Sequence, residues 1–198
     1  MPGPLYAILL GYKESPVTEA RCRFGRCLRE LLCRALLEHR ACLAAVSDGP
    51  LDLVLPVPSS SRPGGAPLGR VEGLAERVVT ALGTGVRWLP TALERAAGQI
   101  GHMRPNARAF AVPCRARSAV RGARVLLVDD TYVSGARAQS AAAALRLAGA
   151  RAVVIVPAGR VLRPDRLDGH AAFLAAQPAQ SGHGPRCLLL SQAGAGTG

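Results

Sequence analysis

The sequence predicts an α/β protein, a parallel β-sheet with helices packed on both of its faces. Three observations carry that expectation. Val125-Leu126-Leu127-Val128 and the run from Ala152 to Pro157 are apolar without polar alternation, as strands covered on both sides require. Between them, Ala136 to Ala148 is rich in Ala and Leu and is closed by Gly149, a natural helix stop. Strand, helix and strand at this spacing form a βαβ unit, whose crossover makes the two strands parallel.

The other elements follow from pattern and punctuation. Leu5 to Leu10 is a short apolar run with no basic residue before it and Gly11-Tyr12-Lys13 after it, unlike a secretory signal. No apolar stretch approaches membrane-spanning length, so a soluble, cytoplasmic protein without a membrane partner is expected. From Thr18 to Val46, Phe24, Leu28, Leu31, Leu32, Ala35 and Leu36 recur at helical spacing, and Gly49-Pro50 ends the segment. Its arginines 21, 23, 26, 29 and 34 read as a solvated face. Leu51 to Pro58 is a β-rich run, and Ser59 to Gly65 is a loop. A second amphipathic helix is expected from Leu68 to about Leu82, and a short strand from Val86 to Leu89. Thr91 to Arg108 is polar and basic, and Phe110 to Pro113 suits one arm of a hairpin. Beyond Arg160 the pattern weakens, with an edge strand expected at Cys187 to Leu190 and a tail at 191–198. The expected organisation is one domain over 1–190, with an N-terminal segment of about 1–50 and a core of about 51–160.

A chain of 198 residues, 49% hydrophobic, is long enough to bury a sizeable core. Its net charge of +12 rests on arginine, because Lys13 is the only lysine. Arginine grips phosphate oxygens through a bidentate fork, so a polyphosphate ligand, a nucleic acid and plain solubility all fit that balance. Aromatic residues are only 4%, few for stacking on bases, which makes a single-stranded nucleic acid the weaker fit. The basic run Arg115, Arg117, Arg121 and Arg124 reads as a solvated rim more readily than a nucleic-acid patch. The six cysteines form no Cys-x-x-Cys pair and read as free thiols at apolar positions.

The chemistry concentrates between Val125 and Arg137. A buried strand brings Asp129 and Asp130 to its C-terminal end, where open α/β sheets bind ligands. A short loop then opens a helix at Ser134-Gly135. Gly lets backbone approach a ligand closely, Ser supplies a hydroxyl, and the helix start supplies unpaired N–H groups and a partial positive charge. Two acids beside an anion cradle would repel a simple anion. They suit a ligand that also carries hydroxyl donors or a divalent cation, and a phosphorylated sugar offers both. An ordinary βαβ turn, with Asp closing a strand, is the bland alternative.

This segment resembles the 5-phosphoribosyl-1-pyrophosphate (PRPP) signature of type I phosphoribosyltransferases and is most similar to the ComF-like group, in which Tyr often stands where Tyr132 does. Weaker likenesses lie in Leu55 to Ser60, in Gln99 and Arg104 to Phe110, and in Tyr6 to Glu14 with Lys13, so the resemblance spans about Tyr6 to Val156. It implies a Rossmann-like fold with a small hood, and transfer of a phosphoribosyl group from PRPP to a nitrogen acceptor with loss of pyrophosphate. It further implies that Asp129 and Asp130 bind the ribose hydroxyls, directly or through Mg2+, as the catalytic pair. Thr131, Val133, Ser134, Gly135, Ala136 and Arg137 would hold the 5′-phosphate. Ser59, Ser60, Ser61 and Arg62 would hold pyrophosphate, with Arg104 and Arg108 on a closing flap. A homodimer, common on this fold, is a further expectation. The chain departs from the family loop Asp-Asp-x-x-Thr-Thr-Gly-x-Thr at Val133 and Arg137, where threonines usually stand, and it lacks the family's Arg-Gly-Phe-Asn-Gln stretch. Those departures leave open a PRPP-responsive protein without turnover, or an accessory factor in DNA uptake or nucleic-acid handling. The acceptor is not legible.

Overall fold

In the computed structural model, residues 4–58, 68–101 and 103–162 are described. The chain runs α1 (Pro4–Glu14), α2 (Thr18–Glu38), α3 (Arg40–Val46), β1 (Leu53–Pro56), α4 (Leu74–Leu82), β2 (Arg87–Trp88), β3 (Glu94–Arg95), β4 (Phe110–Ala111), α5 (Cys114–Val120), β5 (Arg124–Tyr132), α6 (Ala136–Leu147) and β6 (Ala152–Arg160). The main sheet has the order β2-β1-β5-β6 and is parallel throughout. β3 and β4 form a separate antiparallel pair, in register Glu94↔Ala111 and Arg95↔Phe110.

Strand periodicity divides the core into two layers. Leu53, Leu55, Val125 and Leu127 face one side, packing with Val120, Ala138, Ala141 and Leu145 from α5 and α6. Val54, Leu126 and Val128 face the other, against Leu9, Leu28, Leu32, Leu36 and Val78 from α1, α2 and α4. Adjacent strand residues point to opposite faces, so an unbroken apolar run is what a sheet covered on both sides demands. Helices thus flank a four-stranded parallel sheet, as the sequence predicts.

Proline in a central strand ordinarily argues against the assignment. Pro56 is accommodated because Val54 O accepts from Leu89 N on the β2 side, whereas Val57 N donates to Val128 O on the β5 side. The alternation turns residue 56 toward the β2 side, beyond the last β1–β2 partner pair, Val54↔Trp88, and no ladder bond is lost there.

Several boundaries differ from expectation. The helix expected over Thr18 to Val46 is interrupted at His39, whose φ of −105° and ψ of 15° are not helical. Cys22, Cys27 and Cys33 therefore lie on α2, and Cys42 on α3. No Pro or Gly forces the break; it leaves Leu43 in the same buried layer as Leu36. The second helix begins at Leu74 rather than Leu68, because Leu68–Arg70 is a 3-10 turn and Gly73 adopts a left-handed φ of 65°. Pro4–Glu14, from sequence only an apolar run, is a full helix. The loop expected at Ser59 to Gly65, the strand at Cys187 to Leu190 and the tail at 191–198 lie outside the described residues. No helix among the described residues is long and apolar enough to cross a membrane.

Candidate functional site

From β1 the chain passes to β2 on one side, and later to β5 on the other, so strand order reverses between β1 and β5. Ligands of open α/β sheets bind beyond the carboxyl ends of the strands at such a reversal. Asp129 and Asp130 lie at that end of β5. The strand continues through both acids to Tyr132, longer than the apolar run predicts, because β6 pairs with it as far as Tyr132↔Arg160.

Each carboxylate is only 4% exposed. By the same alternation that builds the core, Asp129 falls on the α6 side of the sheet and Asp130 on the α1 side. Each meets a cation from its own layer. Arg137, in the first turn of α6, places a guanidinium nitrogen 3.0 Å from Asp129 Oδ1 and 3.6 Å from Asp130 Oδ1. Lys13, in the last turn of α1, places Nζ 2.8 Å from Asp130 Oδ1 and 3.1 Å from Thr131 Oγ1. Asp129 Oδ1 also accepts the Asp130 N–H at 3.0 Å. Burial pushes the Asp129 carboxyl up to about 6, against the opposing pull of Arg137. Tyr12, beside Lys13 and itself 8% exposed, has an enclosed hydroxyl without a hydrogen-bond partner among the described residues. Burial, then the charges of Asp130 and Asp129, push its phenol well above the usual range.

The loop after β5 turns at Gly135, which has a φ of 77° and serves as the N-cap of α6. A Cβ there would run into the Tyr132 ring and hydroxyl, so the residue must be glycine on both conformational and steric grounds. Ser134 Oγ lies 3.4 Å from the Ala136 N–H, and the first-turn amides of α6 have no helical carbonyl to bind. The Arg160 guanidinium lies 5.7 Å from the Tyr132 ring centre.

A cavity of about 440 Å³ opens here, lined by Asp129, the whole of Thr131 to Ala138, Lys13, Arg95, Ile100 and Gly101. It therefore gathers every residue expected to hold a 5′-phosphate, and one of the two acids. Ser59, Ser60, Ser61 and Arg62 lie outside the described residues. Arg104 and Arg108, expected on a flap, are exposed and do not line the cavity. Their segment is tied down: Asn106 N donates to the buried Ser140 Oγ at 2.8 Å, and Asn106 Nδ2 to Gln99 O at 2.9 Å. The cation this region does bring to the cavity is Arg95, stacked 5.3 Å from the Phe110 ring centre.

Lys13 and Arg95, which line the cavity, and Tyr12, buried beside the acids, are residues that the signature did not point to. Lys13 and Tyr12 were legible in part, because Leu5, Ile8, Leu9 and Tyr12 have helical spacing and Lys13 is the only lysine. Arg95 carried no signal.

The described residues contain no cluster of three His, Cys, Asp or Glu side chains able to hold a metal ion. The two carboxylates present are already engaged by Lys13 and Arg137. With both carboxylates so engaged, the pair does not fit a divalent cation bound directly by Asp129 and Asp130.

No protein-family model matches the chain, and no curated protein matches it either.

Proposed function

We propose that the cavity binds PRPP, as its magnesium complex, and that the chain is a ComF-like type I phosphoribosyltransferase. The observation that carries this reading is the convergence, in one cavity at the strand-order reversal, of an acid from the β5 pair and the glycine-turned start of α6. In it, Asp129 and Asp130 accept hydrogen bonds from the ribose 2′- and 3′-hydroxyls. The amides of Ser134 to Arg137 receive the 5′-phosphate, and Arg95 supplies cationic charge to it. A nitrogen nucleophile then forms its bond to ribose carbon 1 as the carbon–oxygen bond to pyrophosphate breaks, with inversion. The transition state resembles an oxocarbenium ion, so the protein's work is holding the sugar and excluding water.

Val133 favours a second reading, a PRPP-responsive protein that binds without turnover. It stands where the family loop carries a hydroxyl, leaving the phosphate to backbone amides and Ser134.

Thermal unfolding with and without PRPP and Mg2+ tests the pocket, using wild type and Asp130→Asn. A ligand at a hundred times its dissociation constant adds ~2.7 kcal/mol. The expected result is a clear shift in wild type that is mostly lost in the variant. No shift in either would leave the segment a structural turn. Release of pyrophosphate in the presence of candidate nitrogen acceptors then separates the transferase from the silent binder.

A further inference from the structure

The acid pair comes with its own counter-charges, one from each layer of the fold. Lys13 contacts Asp130 and Thr131 from α1, and Arg137 contacts Asp129 from α6. Two carboxylates are met by two permanent cations, so the charge that a divalent ion would neutralise is already balanced. Arg137 stands where the resembled loop has an uncharged threonine, and it turns inward rather than toward solvent. Lys13 is held by a helix whose preceding residue, Tyr12, is locked in the core beside the same acids.

We infer that Lys13, together with Arg137, replaces a divalent cation at Asp129–Asp130, so that the pocket binds pentose 5-phosphates without metal. The inference rests on the proposed phosphoribosyl site and extends it to the ligand's cation requirement. Hydrogen bonding fits. Lys13 occupies Asp130 Oδ1, and Arg137 with the Asp130 amide occupies Asp129 Oδ1. The second oxygen of each carboxylate makes no hydrogen bond to a described residue, and Asp129, the acid that lines the cavity, thereby keeps an acceptor for a sugar hydroxyl. A divalent ion entering the pair would have to displace Lys13 or sit beside two cations, which opposes its binding.

The probe is ribose 5-phosphate, which carries no diphosphate to recruit metal on its own account. Its affinity for the full chain is measured calorimetrically in EDTA and in millimolar Mg2+, for wild type, Lys13→Met and Lys13→Arg. Wild type is expected to bind within twofold under the two conditions. Lys13→Met is expected to lose at least tenfold in EDTA and to regain part of it with Mg2+, while Lys13→Arg stays near wild type. A simple structural loss would not be reversed by metal. Wild-type binding that requires Mg2+ overturns the inference and leaves the proposed pocket standing, as does a Lys13→Met variant that binds normally in EDTA. Absence of ribose 5-phosphate binding by wild type under both conditions overturns the pocket and the inference together.

Discussion

Asp129 should make this protein less stable at neutral pH than it is in mild acid. Its carboxyl is buried to 4% exposure and titrates near 6 in the fold, against 3.8 in an unfolded chain. A folded-state value above the unfolded one means that the native protein binds the proton more tightly. The stabilising contribution is therefore fully present below about pH 4 and is lost as pH rises through about 6. A difference of this size corresponds to roughly 3 kcal/mol at an upper bound, and water reaching the cavity reduces it to about 2 kcal/mol. The shape-matched Asp129→Asn variant mimics the protonated form, and its amide oxygen can still accept from Arg137 and from the Asp130 N–H. At pH 7 it should be more stable than wild type by about 2 kcal/mol, or roughly 4–8 °C in Tm for a chain of this size.

The assay is urea unfolding of both proteins at intervals from pH 4 to 7.5, read as the difference between the two profiles so that other titrating groups cancel. The gap should open between pH 4 and 6 and then level off. Ribose 5-phosphate affinity should fall in the same variant, because a carboxylate acceptor is gone. A variant equal to or less stable than wild type at pH 7 would refute the reasoning. It would mean that Arg137 compensates fully for the burial of Asp129, and that the acid carries no stability cost.

Two further outcomes test the frame around the site. Gly135→Ala combines an unfavourable positive φ with a collision against Tyr132, and should lower stability by about 1–3 kcal/mol; the shift in chemical-denaturation midpoint reads this, together with loss of phosphate-ester binding. Leu126→Ala empties a fully buried position on the central strand β5 and should cost about 2–5 kcal/mol, measured the same way, with the ligand site itself untouched.

The fold was largely legible because its strongest signals are local. The apolar runs at Val125–Val128 and Ala152–Pro157, with the helix between them, correspond to β5, β6 and α6. Their ends were not legible. Asp129 to Tyr132 belong to a strand only because β6 is long enough to pair with them, and pairing leaves no trace in hydropathy. The break at His39 is another tertiary effect, since neither Glu38 nor Arg40 stops a helix by itself.

The site divides along the same line. Asp129, Asp130, Ser134 and Gly135 follow one another on a strand and a tight turn, and that contiguity makes them readable. Lys13 lies 117 positions from Asp130 in the chain and reaches it only because α1 packs beside the sheet near β6. Arg137 is close in sequence, yet nothing in composition says whether a long side chain one turn into a helix folds back or points out. Here Asp129 decides the matter: a carboxylate 4% exposed must be protonated or paired, and Arg137 is the cation within reach on its side of the sheet. The same reasoning assigns Lys13 to Asp130 on the opposite side. The two adjacent acids face different layers: Arg137 of α6 reaches both, at 3.0 and 3.6 Å, while Lys13 of α1 closes on Asp130 at 2.8 Å, so the second counter-charge arrives only when α1 is docked. The charge balance of the acid pair is in that way coupled to the packing of α1 and α6 on the sheet.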